Sequence, residues 1–192
     1  WLHHSLSKLS QSLDGRLSLF KGDPLVLLEE ICDRYDIECI VWNRCYEPWR
    51  INRDKHIKEA LQQKGIEVKT FNASLLWEPW DIKKDDGTPY KVFTPFYRKG
   101  CLNAAAPREP MEAPKNMCLV NKDVQSCHLD ELSLIESHEL DQRLLSYWDI
   151  GERGAQTRLG HFLEHGIDHY KIGRDFPAKP YVSRLSPHIH FG

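Results

Sequence analysis

Ser183-Arg184-Leu185-Ser186 puts two hydroxyls and a guanidinium within four residues, directly ahead of Pro187. A guanidinium offers a planar fork of donors, and hydroxyls and backbone N–H groups at a helix start add more. That set suits a phosphate. Arg174-Asp175-Phe176-Pro177 lies just upstream. The plain alternative is a loop held by internal Arg–Asp pairing, and spacing alone does not separate the two readings.

A second cluster runs Asn43-Arg44-Cys45-Tyr46-Glu47-Pro48-Trp49-Arg50. It leaves an apolar run of strand length, and open parallel sheets bind ligands beyond the carboxyl ends of their strands. Its hydrogen-bonding and stacking groups suit a flat, polar, conjugated ligand. A turn whose aromatics merely pack fits the same spacing. Trp77-Glu78-Pro79-Trp80 has a similar composition and reads first as a core or interface loop.

Other candidates are weaker. His161, His165 and His169 recur every four residues, and histidines so spaced on a helix can share a metal. No HExxH frame accompanies them, so a solvated helix face is the expectation, with no metal site. His188 and His190 flank Ile189 and read as supporting or surface groups. Cys45 and Cys101 are placed in loops, with nothing nearby in sequence to activate a thiolate. No GxGxxG or P-loop follows a strand.

The elements that must position these groups follow from periodicity. Leu2, Leu6, Leu9 and Leu13 give a helix over 2–13. The run 16–21 alternates as a short strand. Asp23-Pro24 starts a helix, with Asp as cap and Pro at its first position, and Leu27, Leu28, Ile31 and Tyr35 as its buried stripe. The run 38–43 reads as a strand covered on both faces. A helix over 50–64 carries Ile57, Ala60 and Leu61 and ends at Gly65, and 66–71 is a further strand. Alternating helices and strands predict a parallel α/β sheet, with a first strand expected ahead of Trp1.

Beyond residue 72 turn residues dominate, with a helix predicted over 92–102. Pro107, Pro110 and Pro114 mark 103–128 as an extended linker. A helical section opens near Leu129. Its clearest helix spans 151–164, with Asp149 and Glu152 as a capping box, Ala155, Leu159, Phe162 and Leu163 buried, and Gly166 as its stop.

The chain has 192 residues, 41% of them hydrophobic, enough for a core domain plus an appendage. A net charge of −2 gives no global basic field, so any polyanion contact must be a local patch. Six cysteines without a CxxC predict free thiols in a reducing, cytoplasmic compartment, and no apolar run is long enough for a membrane helix.

Taken in order, these residues resemble the DNA photolyase and cryptochrome family. Tyr170, Arg174-Asp-Phe-Pro-Ala178, Ser183-Arg-Leu-Ser-Pro187 and Phe191-Gly192 look like the opening of its flavin domain, and Gly151-Glu152, Ala155, Leu159 and Phe162 like the helix before it. Trp1-Leu2-His3, Trp42-Asn43, Tyr46-Glu47-Pro48, Arg53-Asp54, Leu75-Leu-Trp-Glu-Pro79 and Phe93-Thr94-Pro95-Phe96 resemble its antenna domain.

The resemblance implies an α/β, Rossmann-like antenna domain over 1–102 that lacks its first strand. A linker over 103–128 follows, then the first helices of an all-α FAD-binding domain over 129–192. It implies light-driven repair of cyclobutane pyrimidine dimers in DNA, by an electron from reduced FAD. The alternatives are a cryptochrome photosensor or a (6-4) photolyase.

Tyr170, Ser183, Arg184, Leu185 and Ser186 would contact FAD, and Arg174 would face damaged DNA. No catalytic residue would lie within these 192 residues. Val182 stands where several relatives carry a phosphate-binding threonine, which puts that contact in doubt. Asn43, Tyr46 and Glu47 would touch an antenna chromophore. Trp49-Arg50 replaces the Asn-Glu pair of one folate-binding mode, which favours a deazaflavin or another pigment. The expected partner is dimer-bearing DNA, with no membrane, and the expected state is a monomer in which this chain alone is inactive.

Overall fold

The computed structural model describes residues 1–191, which group into two compact units. One is Gly22–Asn116; the other joins Trp1–Lys21 to the residues from Met117 onward.

In the first unit, helix α2 (Pro24–Tyr35) starts where Asp23 Oδ1 accepts the Leu25 and Val26 N–H groups at 3.0 and 3.1 Å. Strand β1 (Cys39–Asn43) follows, then α3 (Pro48–Gln63) and strand β2 (Glu67–Phe71). The strands pair in parallel, Cys39 opposite Glu67 through Asn43 opposite Phe71. Gly65 turns the chain out of α3 at φ +83°, a conformation open to glycine at little cost. Cys32, Ile57, Leu61, Ile66 and Val68 form the core, with Leu25, Leu28, Ile37, Ile40 and Trp42 packed around it.

This is the expected α/β arrangement, with differences. Cys32, rather than Ile31 or Tyr35, is the buried centre of α2. Exposure alternates along β1, with Val41 57% exposed, so that strand is covered on one face only. Past β2 the chain runs through turns to a helical stretch of changing pitch. A single turn, α4 (Phe93–Pro95), widens to π pitch over Phe96–Gly100 and tightens over Cys101–Asn103. Cys101 is therefore buried in a helical turn, not in a loop. Gly100 is required there, because a Cβ would lie 2.6 Å from the Ile82 side chain.

In the second unit, α1 (Leu2–Ser12) is the expected first helix. The segment 16–21 is not a strand. It bonds to residues 123–127 through one hydroxyl and two backbone N–H groups: the Leu19 N–H donates to Ser126 Oγ at 2.7 Å, Ser18 Oγ accepts the Asp123 N–H at 2.9 Å, and Leu19 O accepts the Cys127 N–H at 2.9 Å. Hydroxyls that replace ladder partners leave extended chain without a sheet. No helix or strand is present between residues 104 and 128.

A 3₁₀ turn (Leu129–Leu132) opens the helical section, followed by α5 (His138–Leu145) and α6 (Glu152–His165). The capping box sits at His128 and Glu131, where the His128 N–H donates to Glu131 Oε1 at 2.7 Å. The one expected at Asp149 is absent. Gly151, at φ +110°, is the cap of α6, and Gly154 packs so closely under Asp149 that a Cβ would lie 1.8 Å from its carbonyl oxygen. Leu159 and Leu163 are exposed, so the buried side of α6 is narrower than its apolar pattern. Gly166 is the C-terminal cap of α6, as expected. It makes room for the Phe162 ring, and helical turns continue through Ile167–His169 into α7 (Tyr170–Gly173). The last helix is α8 (Ser186–Phe191).

Candidate functional site

At the carboxyl ends of β1 and β2 the turn after Asn43 is tied down by one carboxylate. Glu78 is buried. Its Oε1 accepts Arg44 Nε at 3.0 Å and also Arg44 Nη2, and its Oε2 accepts the Tyr46 hydroxyl at 2.7 Å. Arg44 Nη1 donates to the Thr70 carbonyl at 2.7 Å and to Thr70 Oγ1 at 3.2 Å. The Arg44 N–H donates to Phe71 O at 2.9 Å, which extends the strand pairing by one bond. The guanidinium also lies 5.7 Å from the Trp80 ring centroid.

The electrostatics follow from this geometry. The hydrogen bond to Glu78 holds the Arg44 pKa above its usual value. Burial, then the bond to Glu78, raises the Tyr46 phenol, against the opposing effect of Arg44.

Asn43 and Glu47, the other two expected ligand groups of this turn, remain exposed. Beyond it Trp49 is exposed, with the guanidinium carbons of Arg50 and Arg53 at 5.1 and 5.4 Å from its ring. An open groove of about 490 Å³ runs past Glu78, lined by Asn72, Trp77 and Arg108 among others. Trp77 Nε1 donates to Ala105 O at 2.8 Å. The loop 77–80, expected as a core or interface loop, buries Glu78 but leaves Trp80 54% exposed. The function of Glu78 within it was not legible, because its partners lie 32 and 34 residues away and no periodicity links them.

In the other unit, Gly173 lies in the chain ahead of the second set. A Cβ there would lie 2.3 Å from Tyr181 Cβ, so the bare glycine lets Tyr181 pack on α7, with its ring centroid 4.7 Å from that of His169. The chain then leads straight into Ser183–Ser186. Ser183 Oγ accepts the Leu185 N–H at 3.4 Å, Arg184 adopts φ +53° and is exposed, and Ser186 begins α8. Among the described residues Arg184 has no ion pair. Tyr170, 43% exposed, meets the Phe162 ring edge-on at 6.0 Å. Arg174 Nε lies 3.7 Å from Asp175 Oδ1, and both side chains are exposed. That pair is local and makes no bond to Ser183–Ser186 among the described residues, where the Leu185 N–H is used within the loop and the Arg184 guanidinium is exposed.

The remaining candidates are dispersed. The rings of His161 and His165 lie 4.8 Å apart, but His169 turns to Tyr181. Among the described residues no three His, Cys, Asp or Glu side chains converge. All six cysteines are free. Of the two histidines read as supporting or surface groups, His188 is buried against Trp1 and Trp148, while His190 is exposed. No described helix is long and apolar enough to cross a membrane.

The described residues thus form a parallel α/β unit with polar groups at its strand ends and a helical unit that carries Ser183–Ser186. Comparison with known proteins gives the family. A family model described as DNA photolyase matches residues 1–115, and the chain belongs to that family. It is 36% identical over 196 residues to a deoxyribodipyrimidine photo-lyase of Agrobacterium fabrum, covering 100% of this chain and 41% of that protein. It is 30% identical over 198 residues to cryptochrome-1 of Arabidopsis thaliana, covering 100% of this chain and 29% of that protein. Its fold is similar to that of a class III photolyase from Agrobacterium tumefaciens, with a TM-score of 0.90 at 36% identity over 100% of this chain and 40% of that one. The chain thus spans about two-fifths of the photolyases it matches.

Proposed function

We propose that the whole protein repairs cyclobutane pyrimidine dimers in DNA under blue light. The observation that carries this reading is the likeness of the entire chain, in sequence and fold, to a photolyase. By order along the chain, residues 1–102 are the antenna domain, 103–128 the linker and 129–192 the start of the FAD domain, although Trp1–Lys21 belong to the same compact unit as the residues from Met117 onward.

The residues present suit FAD. Arg184 is exposed and unpaired among the described residues, and Ser183, Ser186 and the N–H groups at the start of α8 lie beside it, a donor set matched to phosphates. Tyr170 presents an exposed ring edge nearby in sequence. Bound and reduced, FAD supplies the electron that splits the cyclobutane ring and takes it back afterwards. Arg174, exposed and paired only with the equally exposed Asp175, faces the DNA beside a dimer turned out of the duplex. Asn43, Tyr46 and Glu47 form the antenna turn, for a deazaflavin or a folate.

The Arabidopsis relative favours a second reading, a cryptochrome-type photosensor without repair activity. The test is a repair assay on the full-length protein, in which dimer-bearing and (6-4)-bearing oligonucleotides are illuminated with blue light. Restored thymines from the cyclobutane dimer are expected. Repair of neither lesion by protein with reducible FAD sinks the enzyme reading in favour of the photosensor. Repair of the (6-4) lesion alone reassigns the substrate. The 192-residue chain by itself is expected to retain no yellow flavin absorbance on purification, and retention contradicts its proposed inactivity.

A further inference from the structure

We propose that Glu78 is the positioning residue of the antenna turn, and that the Tyr46 hydroxyl is committed to Glu78 and is not a pigment contact. This rests on the antenna reading of Asn43–Glu47 given above.

A single buried carboxylate uses both its oxygens on the turn, one on Arg44 and one on Tyr46. Arg44 spends its third nitrogen on Thr70 at the end of β2. The Glu78 N–H donates to Asp81 Oδ2 at 3.1 Å, which fixes the loop that carries the carboxylate. Glu78 thus joins two residues leaving β1 to the 78–81 loop, and Arg44 carries the link on to the end of β2. A ligand approaching the strand ends meets Asn43 and Glu47, which are exposed, and the ring of Tyr46 rather than its hydroxyl.

Glu78→Gln removes the guanidinium's counter-charge and leaves one acceptor oxygen where Arg44 and Tyr46 each had one. The turn then loses its fixed geometry, and binding that depends on a preformed site weakens. The phenol also reports directly. Glu78 raises the Tyr46 pKa and Arg44 lowers it, so removing the Glu78 charge moves the phenol's titration to lower pH.

The full-length protein is tested as wild type, Glu78→Gln, Tyr46→Phe and Asn43→Ala. A deazaflavin and a methenyl-tetrahydrofolate serve as probes, titrated by absorbance at a temperature where each variant is folded. Tyr46 is followed by NMR of isotope-labelled tyrosine, its signal assigned by loss in Tyr46→Phe. Expected are wild-type binding of one probe and a loss in Tyr46→Phe smaller than in Asn43→Ala, because the ring stays and only its bond to Glu78 goes. Glu78→Gln is expected to lose roughly tenfold or more, with a lower Tyr46 titration midpoint. Should Glu78→Gln not fold, Glu78→Asp keeps the charge but not the reach, and the same loss of affinity is expected.

Unchanged affinity in the Glu78 variant, or a Tyr46→Phe loss equal to that of Asn43→Ala, overturns the proposal. If wild type binds neither probe, the antenna reading falls and the positioning role with it, whatever Tyr46 does.

Discussion

His188 stands edge-on to Trp1, with ring centroids 5.0 Å apart and planes at 84°. Trp148 completes the cluster, 5.2 Å from Trp1 and 6.1 Å from His188, and Arg158 lies over the Trp148 ring at 5.1 Å. Among the described residues neither Trp1 Nε1 nor His188 Nε2 has a hydrogen-bond partner. Burial first, then the Arg158 charge, lowers the imidazole pKa below 6.5, against Asp149 and a hydrogen bond with the Gly151 backbone.

The fold therefore holds His188 neutral, and unfolding below pH 6.5 takes up a proton. The stability this residue contributes is present above 6.5 and is lost as pH falls toward its lower folded value. Melting temperatures recorded from about pH 7.5 to about pH 5 will fall more steeply for wild type than for His188→Leu. Equal slopes would contradict a neutral, buried His188.

Leu61 is fully buried at the centre of the Gly22–Asn116 unit, at 0% exposure, whereas Leu102 is 61% exposed. Leu61→Ala removes packing on all sides and will cost about 2–5 kcal/mol in urea unfolding. Leu102→Ala will stay within roughly 0.5 kcal/mol of wild type. A similar cost for both would mean that the core lies elsewhere.

Gly154 and Gly160 both lie in α6, yet opposite outcomes are expected. At Gly154 a Cβ would sit 1.8 Å from the Asp149 carbonyl oxygen, a backbone atom that cannot swing aside. Gly154→Ala will unfold or strongly destabilise the helical unit. At Gly160 nothing lies within 4 Å of a Cβ, and alanine there will stabilise by about 0.4–1 kcal/mol. Thermal melts of the two variants decide the matter, and a stabilised Gly154→Ala would refute the close approach.

Arg184 is the charged member of the proposed FAD segment. In the full-length protein Arg184→Ala will weaken FAD by roughly tenfold or more, as expected for a lost charge-assisted hydrogen bond. Because the native φ is +53°, Arg184→Gly relieves the backbone while removing the same charge, so it will melt no lower than Arg184→Ala yet bind FAD as weakly. FAD retention read by absorbance tests both, and full retention in either variant removes Arg184 from the site.

The sequence by itself determined the local elements. Asp23-Pro24, the Ile57–Leu61 stripe and Gly65 each report their own structure, because capping, helical period and positive φ are properties of a few adjacent residues. It also determined the family and the order of the motifs, since those are strings. Only the tertiary structure decided which groups meet. Glu78 reaches Arg44 and Tyr46, Ser126 and Ser18 take the bonds that would have made 16–21 a strand, and Gly151 caps α6 in place of Asp149. His188 is buried although its neighbours Ile189 and His190 are exposed. These are outcomes of burial and long-range pairing, where a buried polar group takes the partner that packing brings within reach, however far away in sequence that partner lies.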